Sequence, residues 1–400
     1  MRKNKITIIT TYAPRQCGIA TYSQSLITAI ESNKSDVSYD VIAIDNDERL
    51  NYGKVVKMVI NQDSFQDYSK AADYINSSDT DLVLIEHEFK IFGGFNGRYV
   101  LELLRNLKKP AVMTLHTVPV CMDRPVFIRA KRYKSRLRFL KKVSAYVSCF
   151  TVMTKTAQEF LKRELNLDDE KVVIVPHGMP PVSASMMDQY RQEKDKISVN
   201  KADILLTTFG LIMPKKGLEY AIKALPEIIG RNQGMKIIYL IAGRVHPDCP
   251  KSYLTALKTL ASELGVEKNL VFDSKFLQEE EIYRYLANTD IYITPYYSKE
   301  LASSGTLSYA IGCGCPIIST PYIHAQDVIN NHQVGRLVKF RDPKSIADAA
   351  NALIEDESLR QAYRQSSWTL GQLLRWKNVG LQFINLFNER ADENRTNRPD

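Results

Sequence analysis

Two lysines, Lys215 and Lys216, stand immediately before Gly217 in PheGlyLeuIleMetProLysLysGlyLeuGlu (209–219), where an apolar run passes into a helical period. Lysine charge added to the unpaired amide hydrogens of a helix start attracts an anion, so this spacing suits a phosphate. Downstream, SerLysGluLeuAlaSerSerGlyThrLeuSerTyrAla (298–310) makes the same passage from strand to helix. There Ser303, Ser304, Gly305 and Thr306 offer hydroxyls and free amides at the helix start. Two anion-attracting helix starts in one half of a chain fit a diphosphate better than a single carboxylate. The bland alternative is two capped helices with solvated lysines.

The first half carries a different set. In ThrTyrAlaProArgGlnCysGlyIleAlaThrTyr (11–22), Pro14 and Gly18 shape a loop that opens a helix, with Arg15 beside them. The GxGxxG spacing is missing, which argues against a nicotinamide dinucleotide. GluHisGluPheLysIlePheGlyGlyPhe (86–95) flanks a histidine with two carboxylates, and its glycine pair would let the backbone approach a ligand closely. Glu88 is the expected catalytic or sugar-binding carboxylate, because Glu86 still belongs to the strand. ThrLeuHisThr (114–117) puts His116 at a strand end, and ProHisGly (176–178) puts His177 at the close of the first half. A zinc site needs more ligands at suitable spacing than these, so no metal is expected.

Ligands of doubly wound sheets bind beyond the carboxyl ends of the strands, so the strands decide what these residues can do. Apolar β-rich runs fall at Ile6–Thr11, Tyr39–Ile44, Val55–Ile60, Leu82–Glu86, Ala111–His116, Tyr146–Met153 and Val172–Pro176. Helical periods lie between them near 20–32, 67–77, 96–108, 128–142 and 154–166. Continuous apolar strands separated by helices imply a parallel sheet covered on both faces. Residues 181–202 lack a clear period and read as a linker. The alternation restarts at Ile204–Phe209, Lys236–Ala242, Leu270–Phe272, Ile291–Thr294 and Pro316–Ser319, with helices near 217–230, 251–264, 279–288, 304–313 and 344–354. The expected fold is α/β: two doubly wound Rossmann-like domains, 1–180 and 203–367, facing across a cleft. A last helical pattern over 368–390 either packs back on the first domain or ends the second.

Composition narrows the class. The 400 residues are 44% hydrophobic and 25% charged, with 18 Gly and 16 Pro, which excludes collagen-like, disordered and low-complexity chains. No apolar run approaches the roughly 18 residues of a spanning helix. The apolar run in MRKNKITIITTYAP is too short for a signal-peptide core, so a soluble cytoplasmic protein is expected. Six cysteines without a CxxC pair read as reduced thiols. Residues 1–180 hold 27 Lys and Arg against 20 Asp and Glu, while 181–400 hold 27 against 25, so the basic surface belongs to the first half.

Much of that charge sits in ArgAlaLysArgTyrLysSerArgLeuArgPheLeuLysLys (129–142), which has eight cationic residues and no acidic one. Ala130, Tyr133, Leu137 and Leu140 form an inward seam at helical spacing, with the charges around it. Such a helix could dock on the anionic inner face of a membrane, near a lipid-linked or polymeric acceptor. A merely solvated basic face is the alternative. No nucleic-acid-binding motif accompanies it, so nucleic acid is not an expected partner.

Taken in order, these motifs resemble the retaining glycosyltransferases of family four, which have the GT-B fold. AlaGly (242–243) and GlyCysGlyCysProIleIleSerThr (312–320) complete the likeness, which runs along the whole chain. The resemblance implies transfer of a sugar from a nucleotide diphosphate donor to a glycan or lipid-linked acceptor, with retained configuration and neither metal nor cofactor. It makes Lys216 the cation on the donor diphosphate and places His116 near the transferred sugar, with Glu88 and Glu300 as accompanying carboxylates. Gly18 matches the family's acceptor-side glycine loop; with Lys215, Arg244, Ser303, Ser304, Gly305, Thr306 and Tyr309 it is also expected among the donor-binding positions, while Arg15 and His177 are expected on the acceptor side. Two positions depart from the family pattern. Leu211 stands where the family has an arginine, leaving Arg244, Lys215 or Lys299 to supply that cation. The family's two glutamates fall at Leu301 and Tyr309, with Glu300 one residue out of register, so a tyrosine occupies the ribose-binding position. Alternatives on the same fold are a glycoside phosphorylase or a sugar-nucleotide epimerase. The tyrosine favours another alternative, a non-catalytic sugar-nucleotide-binding protein.

Overall fold

Strands that are apolar along their whole length cannot leave a face in water, and both sheets of this protein are fully parallel and covered by helices. The computed structural model describes residues 4–34, 36–46, 50–119, 127–193, 199, 202–247, 249, 250 and 252–396. They fall into two compact units. One comprises Met1–Gly178, Glu300–Ser303 and Trp376–Asp400; the other comprises Met179–Lys299 and Ser304–Arg375.

The first unit holds seven strands: β1 (Asn4–Thr10), β2 (Val37–Asp45), β3 (Val56–Asn61), β4 (Leu82–His87), β5 (Ala111–Leu115), β6 (Cys149–Val152) and β7 (Val172–Ile174). Their order is β3-β2-β1-β4-β5-β6-β7. The second unit holds β8 (Ile204–Phe209), β9 (Ile237–Ala242), β10 (Leu270–Asp273), β11 (Ile291–Thr294), β12 (Ile317–Ser319) and β13 (Gly335–Leu337), ordered β10-β9-β8-β11-β12-β13. In each sheet the order reverses beside the first strand, between β1 and β4 and between β8 and β11. Such switch points are where the loops beyond the strand ends part and leave room for a ligand.

The final helix, Trp376–Thr396, belongs to the first unit. Val379, Phe383 and Phe387 are fully buried there with Leu26, Ile30 and Leu84. Gly380 permits the close crossing on the helix Gly18–Ser32: a β-carbon added to it would stand 2.7 Å from the Ala29 methyl. Asn33 ties the two helices by donating to the Lys377 carbonyl at 2.8 Å.

Three features differ from the sequence reading. The stretch read as a linker, 181–202, contains the helix Ala184–Gln192, capped by the Ser183 hydroxyl; its low apolar content hides the period. The pattern read as one helix over 368–390 is two. Glu357–Leu373 ends before Arg375 and stays with the second unit, and a new helix begins at Trp376. The basic helix spans Phe127–Val143, but its buried face is Arg136, Phe139, Leu140 and Val143. Tyr133 and Leu137 are only half-buried. Phe139 is a large apolar side chain, and at 100° per residue its burial turns Arg136 inward. The Arg136 guanidinium lies 4.2 Å from the Phe89 ring centre. Cys121 and the side chain of Ala130 lie outside the described residues. The other five cysteines are free.

Candidate active site

In the first unit the site begins with strand register. Glu86 of β4 pairs with Thr114 of β5, and side chains on one face of a strand repeat every second residue. Glu86, Thr114 and His116 therefore share a face. The fully buried Glu86 carboxylate lies 2.7 Å from His116 Nε2, and its other oxygen accepts from the Thr114 hydroxyl at 3.3 Å. Thr114 in turn accepts from Thr151 at 2.9 Å. Tyr22 packs edge-on against His116, His177 and Trp376, with centroids 4.7, 5.3 and 5.0 Å away. Burial drives the Tyr22 phenol well above its usual range, with the Glu86 charge adding to it. His177 is buried too; its Nδ1–H donates to the Gly178 carbonyl at 2.7 Å, and burial pushes the ring down to about 4.

Glu88 is not the partner of His116. It accepts from the Thr117 hydroxyl and stays half-buried. Membership of β4 is what puts Glu86 beside the neighbouring strand end. The glycine pair also serves the chain itself: a β-carbon on Gly93 would meet the Gln62 carbonyl oxygen at 2.0 Å, and Gly94 has φ +75°. His87, on the other face, is held between Phe92 and Phe139, and burial pushes it down to about 3. Arg15 donates to the Ile44 carbonyl at 3.0 Å. Gly18 starts its helix after a Cys17 cap, and a β-carbon there would meet nothing within 4 Å. Glu300 and Ser303 belong to this unit, with the Glu300 carboxylate 3.6 Å from Arg136.

In the second unit, Gly210 and Gly243 end β8 and β9 with φ of +122° and +132°, pressed together so that a β-carbon on Gly243 would stand 2.2 Å from the Gly210 carbonyl oxygen. Ile212 donates to the Arg244 carbonyl at 2.9 Å, so the Leu211 segment runs beside Arg244. Lys216 lies at the end of this loop with its ammonium 3.8 Å from the Tyr296 ring centre. Among the described residues no carboxylate pairs with it, and burial lowers it to about 7. Lys215 is exposed, and Lys299 stands 5.3 Å over the Phe340 ring.

The helix Gly305–Gly312 starts nearby. Ser304 caps it by accepting from Leu307 N, and the Ser304 amide donates to His324 Nδ1 at 2.9 Å. Thr306 shares a hydrogen bond with the Tyr296 hydroxyl at 2.9 Å, and its methyl abuts Gly210. Tyr296 thus joins Lys216 to the start of this helix, and the Gly305 and Thr306 amides occupy its unpaired first turn. Tyr309 stacks on Tyr283 and packs against Phe209. Both Tyr309 and Tyr283 donate to Glu279 Oε1, Tyr309 at 3.1 Å. A carboxylate therefore stands beside Tyr309, supplied by another helix. Among the described residues no cluster of three or more His, Cys, Asp or Glu is arranged for a metal ion.

Sequence reasoning missed Glu86, Tyr22, Tyr296, Glu279 and His324. A signal existed for Glu86, since an ionisable residue in an otherwise apolar strand needs a buried partner. The other four come together only through tertiary packing.

The family described as glycosyl transferases group 1 matches residues 189–367. An uncharacterized glycosyltransferase of Methanocaldococcus jannaschii is 20% identical over 302 residues, covering 74% of this chain and 72% of that protein. A GDP-mannose-dependent alpha-(1-6)-phosphatidylinositol monomannoside mannosyltransferase of Mycolicibacterium smegmatis is 24% identical over 188 residues, covering 45% of this chain and 47% of that protein. Among solved structures, sucrose-phosphate synthase from Thermosynechococcus elongatus superposes with a TM-score of 0.74 at 18% identity, over 96% of this chain and 98% of the other. Anabaena HepE in complex with UDP and glucose gives 0.71 at 15% identity, over 96% and 100%. The two parallel sheets and these likenesses establish the GT-B fold.

Proposed function

We propose that this GT-B glycosyltransferase takes its sugar from a nucleotide diphosphate donor, retains the anomeric configuration and works without a metal. Lys216 carries the reading. It is a half-buried ammonium at the end of the loop after β8, with no carboxylate partner among the described residues, linked through Tyr296 to the start of the helix Gly305–Gly312. A burial-lowered lysine regains its proton when a phosphate stands beside it. In the reaction the bond from sugar C1 to the diphosphate oxygen breaks, the acceptor oxygen bonds to C1, and the acceptor proton leaves with the departing nucleoside diphosphate or to water. Negative charge grows on the diphosphate, and Lys216 with the Gly305 and Thr306 amides is preorganised for it. Glu279, fixed by Tyr309 and Tyr283, keeps one oxygen for the hydroxyls of the nucleotide. The family resemblance assigns His116 to the transferred sugar, and Tyr22 packs against both that ring and His177. The uridine diphosphate and glucose held by HepE and the GDP-mannose used by the mannosyltransferase support such a donor.

The acceptor is a glycan or lipid-linked glycan at the anionic cytoplasmic face of a membrane. Lys131, Lys134, Arg138, Lys141 and Lys142 are exposed on the face of their helix opposite Phe139 and Leu140, with Arg132 also exposed near its start, a charge pattern suited to anionic lipid. No described helix is long and apolar enough to cross a membrane.

A panel of nucleotide sugars, with chelator and with or without acceptor, tests the reading. Slow donor hydrolysis without acceptor, and a product of retained configuration by NMR, are expected. Phosphate-dependent turnover would assign a phosphorylase, and tight binding without turnover a binding protein.

A further inference from the structure

A carboxylate buried to 0% exposure is costly unless every lone pair has work, and both oxygens of Glu86 are engaged, one by His116 and one by Thr114. Ionised carboxylates accept and cannot donate, so the hydrogen in the 2.7 Å contact belongs to His116 Nε2. In the neutral ring the other nitrogen, Nδ1, is a lone-pair acceptor. It has no partner among the described residues, and it is not among the buried orphan atoms. Tyr22, edge-on to the ring at 4.7 Å, hinders its rotation, while Thr151 and Thr114 hold the carboxylate from below.

We propose that Glu86 is the positioning residue of this site: it holds the Nε2–H of His116 and leaves Nδ1 to accept a hydrogen bond from a hydroxyl of the transferred sugar. This rests on the placement of His116 beside that sugar. Glu86 itself, fully buried, touches no substrate. Its effect passes through the tautomer and orientation of the imidazole, which decide whether a sugar hydroxyl meets a lone pair or an N–H. Glu88 lacks this relationship, because its carboxylate is engaged by Thr117.

The test has three parts on the full chain. Imidazole ¹⁵N NMR of histidine-labelled protein should show the neutral His116 ring carrying its hydrogen on Nε2, assigned by its loss in His116→Ala. Glu86→Gln, nearly isosteric but able to donate through its amide, should convert this to a mixture of tautomers. It should also lower kcat at least about tenfold while the donor KM stays within about threefold. Adding Glu86→Gln to His116→Ala should cost less than about threefold more, since the residue acts through the ring. Turnover unchanged in His116→Ala overturns the placement of His116 and this role with it. Turnover lost in His116→Ala but kept in Glu86→Gln overturns the role alone, as does a wild-type ring carrying its hydrogen on Nδ1. That last measurement does not depend on whether Glu86→Gln folds.

Discussion

Lys216 holds its ammonium 3.8 Å from the centre of the Tyr296 ring, and the hydroxyl of the same tyrosine shares a hydrogen bond with Thr306 at 2.9 Å. One aromatic side chain thereby couples the loop after β8 to the helix start after β11. The cation–π contact keeps the lysine in place while leaving its hydrogens free for an anion.

Lys216→Ala should lower donor-dependent turnover at least about tenfold, since a charge-assisted contact contributes about 1.5–3 kcal/mol. Its pH dependence has a definite sign. The free lysine titrates near 7, so above that pH the donor must bind together with a proton, and its KM should rise as pH increases. Lys216→Arg, which stays charged, should flatten that rise. Steady-state kinetics from pH 6 to 9 read both outcomes.

Glu279→Gln should raise the donor KM roughly tenfold with a smaller change in kcat, because it removes a carboxylate held by two phenols without touching the diphosphate site. Tyr309→Phe should do the same more weakly, by loosening Glu279. Calorimetric titration with the free nucleoside diphosphate should show the same loss for Glu279→Gln.

His87 and His177 are kept neutral by burial, at about 3 and about 4 against about 6.5 in the unfolded chain. Below pH 6.5 the unfolded chain binds protons that the folded one does not, so their contribution is complete above that pH. It is lost progressively as pH falls toward 4 and then 3, at up to about 1.4 kcal/mol per pH unit for each ring. His87→Phe should reduce this loss, because a third phenyl ring fits between Phe92 and Phe139 without an ionisable nitrogen. Urea unfolding of the first unit's signals at pH 7 and pH 5 compares the two proteins.

Reversing Arg132, Lys134, Arg138 and Lys142 to glutamate should abolish sedimentation with anionic vesicles and leave turnover on a soluble acceptor intact. All four are exposed, whereas Arg136 packs on Phe89 and should be left in place. Salt at 0.5 M should release the wild type, because the screening length falls to about 4 Å. No binding to anionic vesicles at low salt would leave a solvated face and nothing more.

Local chemistry alone determined a good deal about this protein. Continuous apolar runs bounded by helical periods locate Ile204–Phe209 and Ile291–Thr294 to the residue, and uninterrupted apolarity already demands parallel sheets covered on both sides. Lys216 and the Ser304 turn are likewise readable, because a glycine or a cap beside a strand end is a local signal. Tertiary structure decided the rest. Glu86 meets His116 only through the β4–β5 register, Tyr296 reaches Thr306 ten positions further on, across the loop 297–304, and Glu279 reaches Tyr309 from a different helix. Arg136 turns inward because Phe139 wins the competition for the buried face. Periodicity reports which residues leave water, whereas partnership depends on distances between elements far apart in sequence, and those are set when the elements pack.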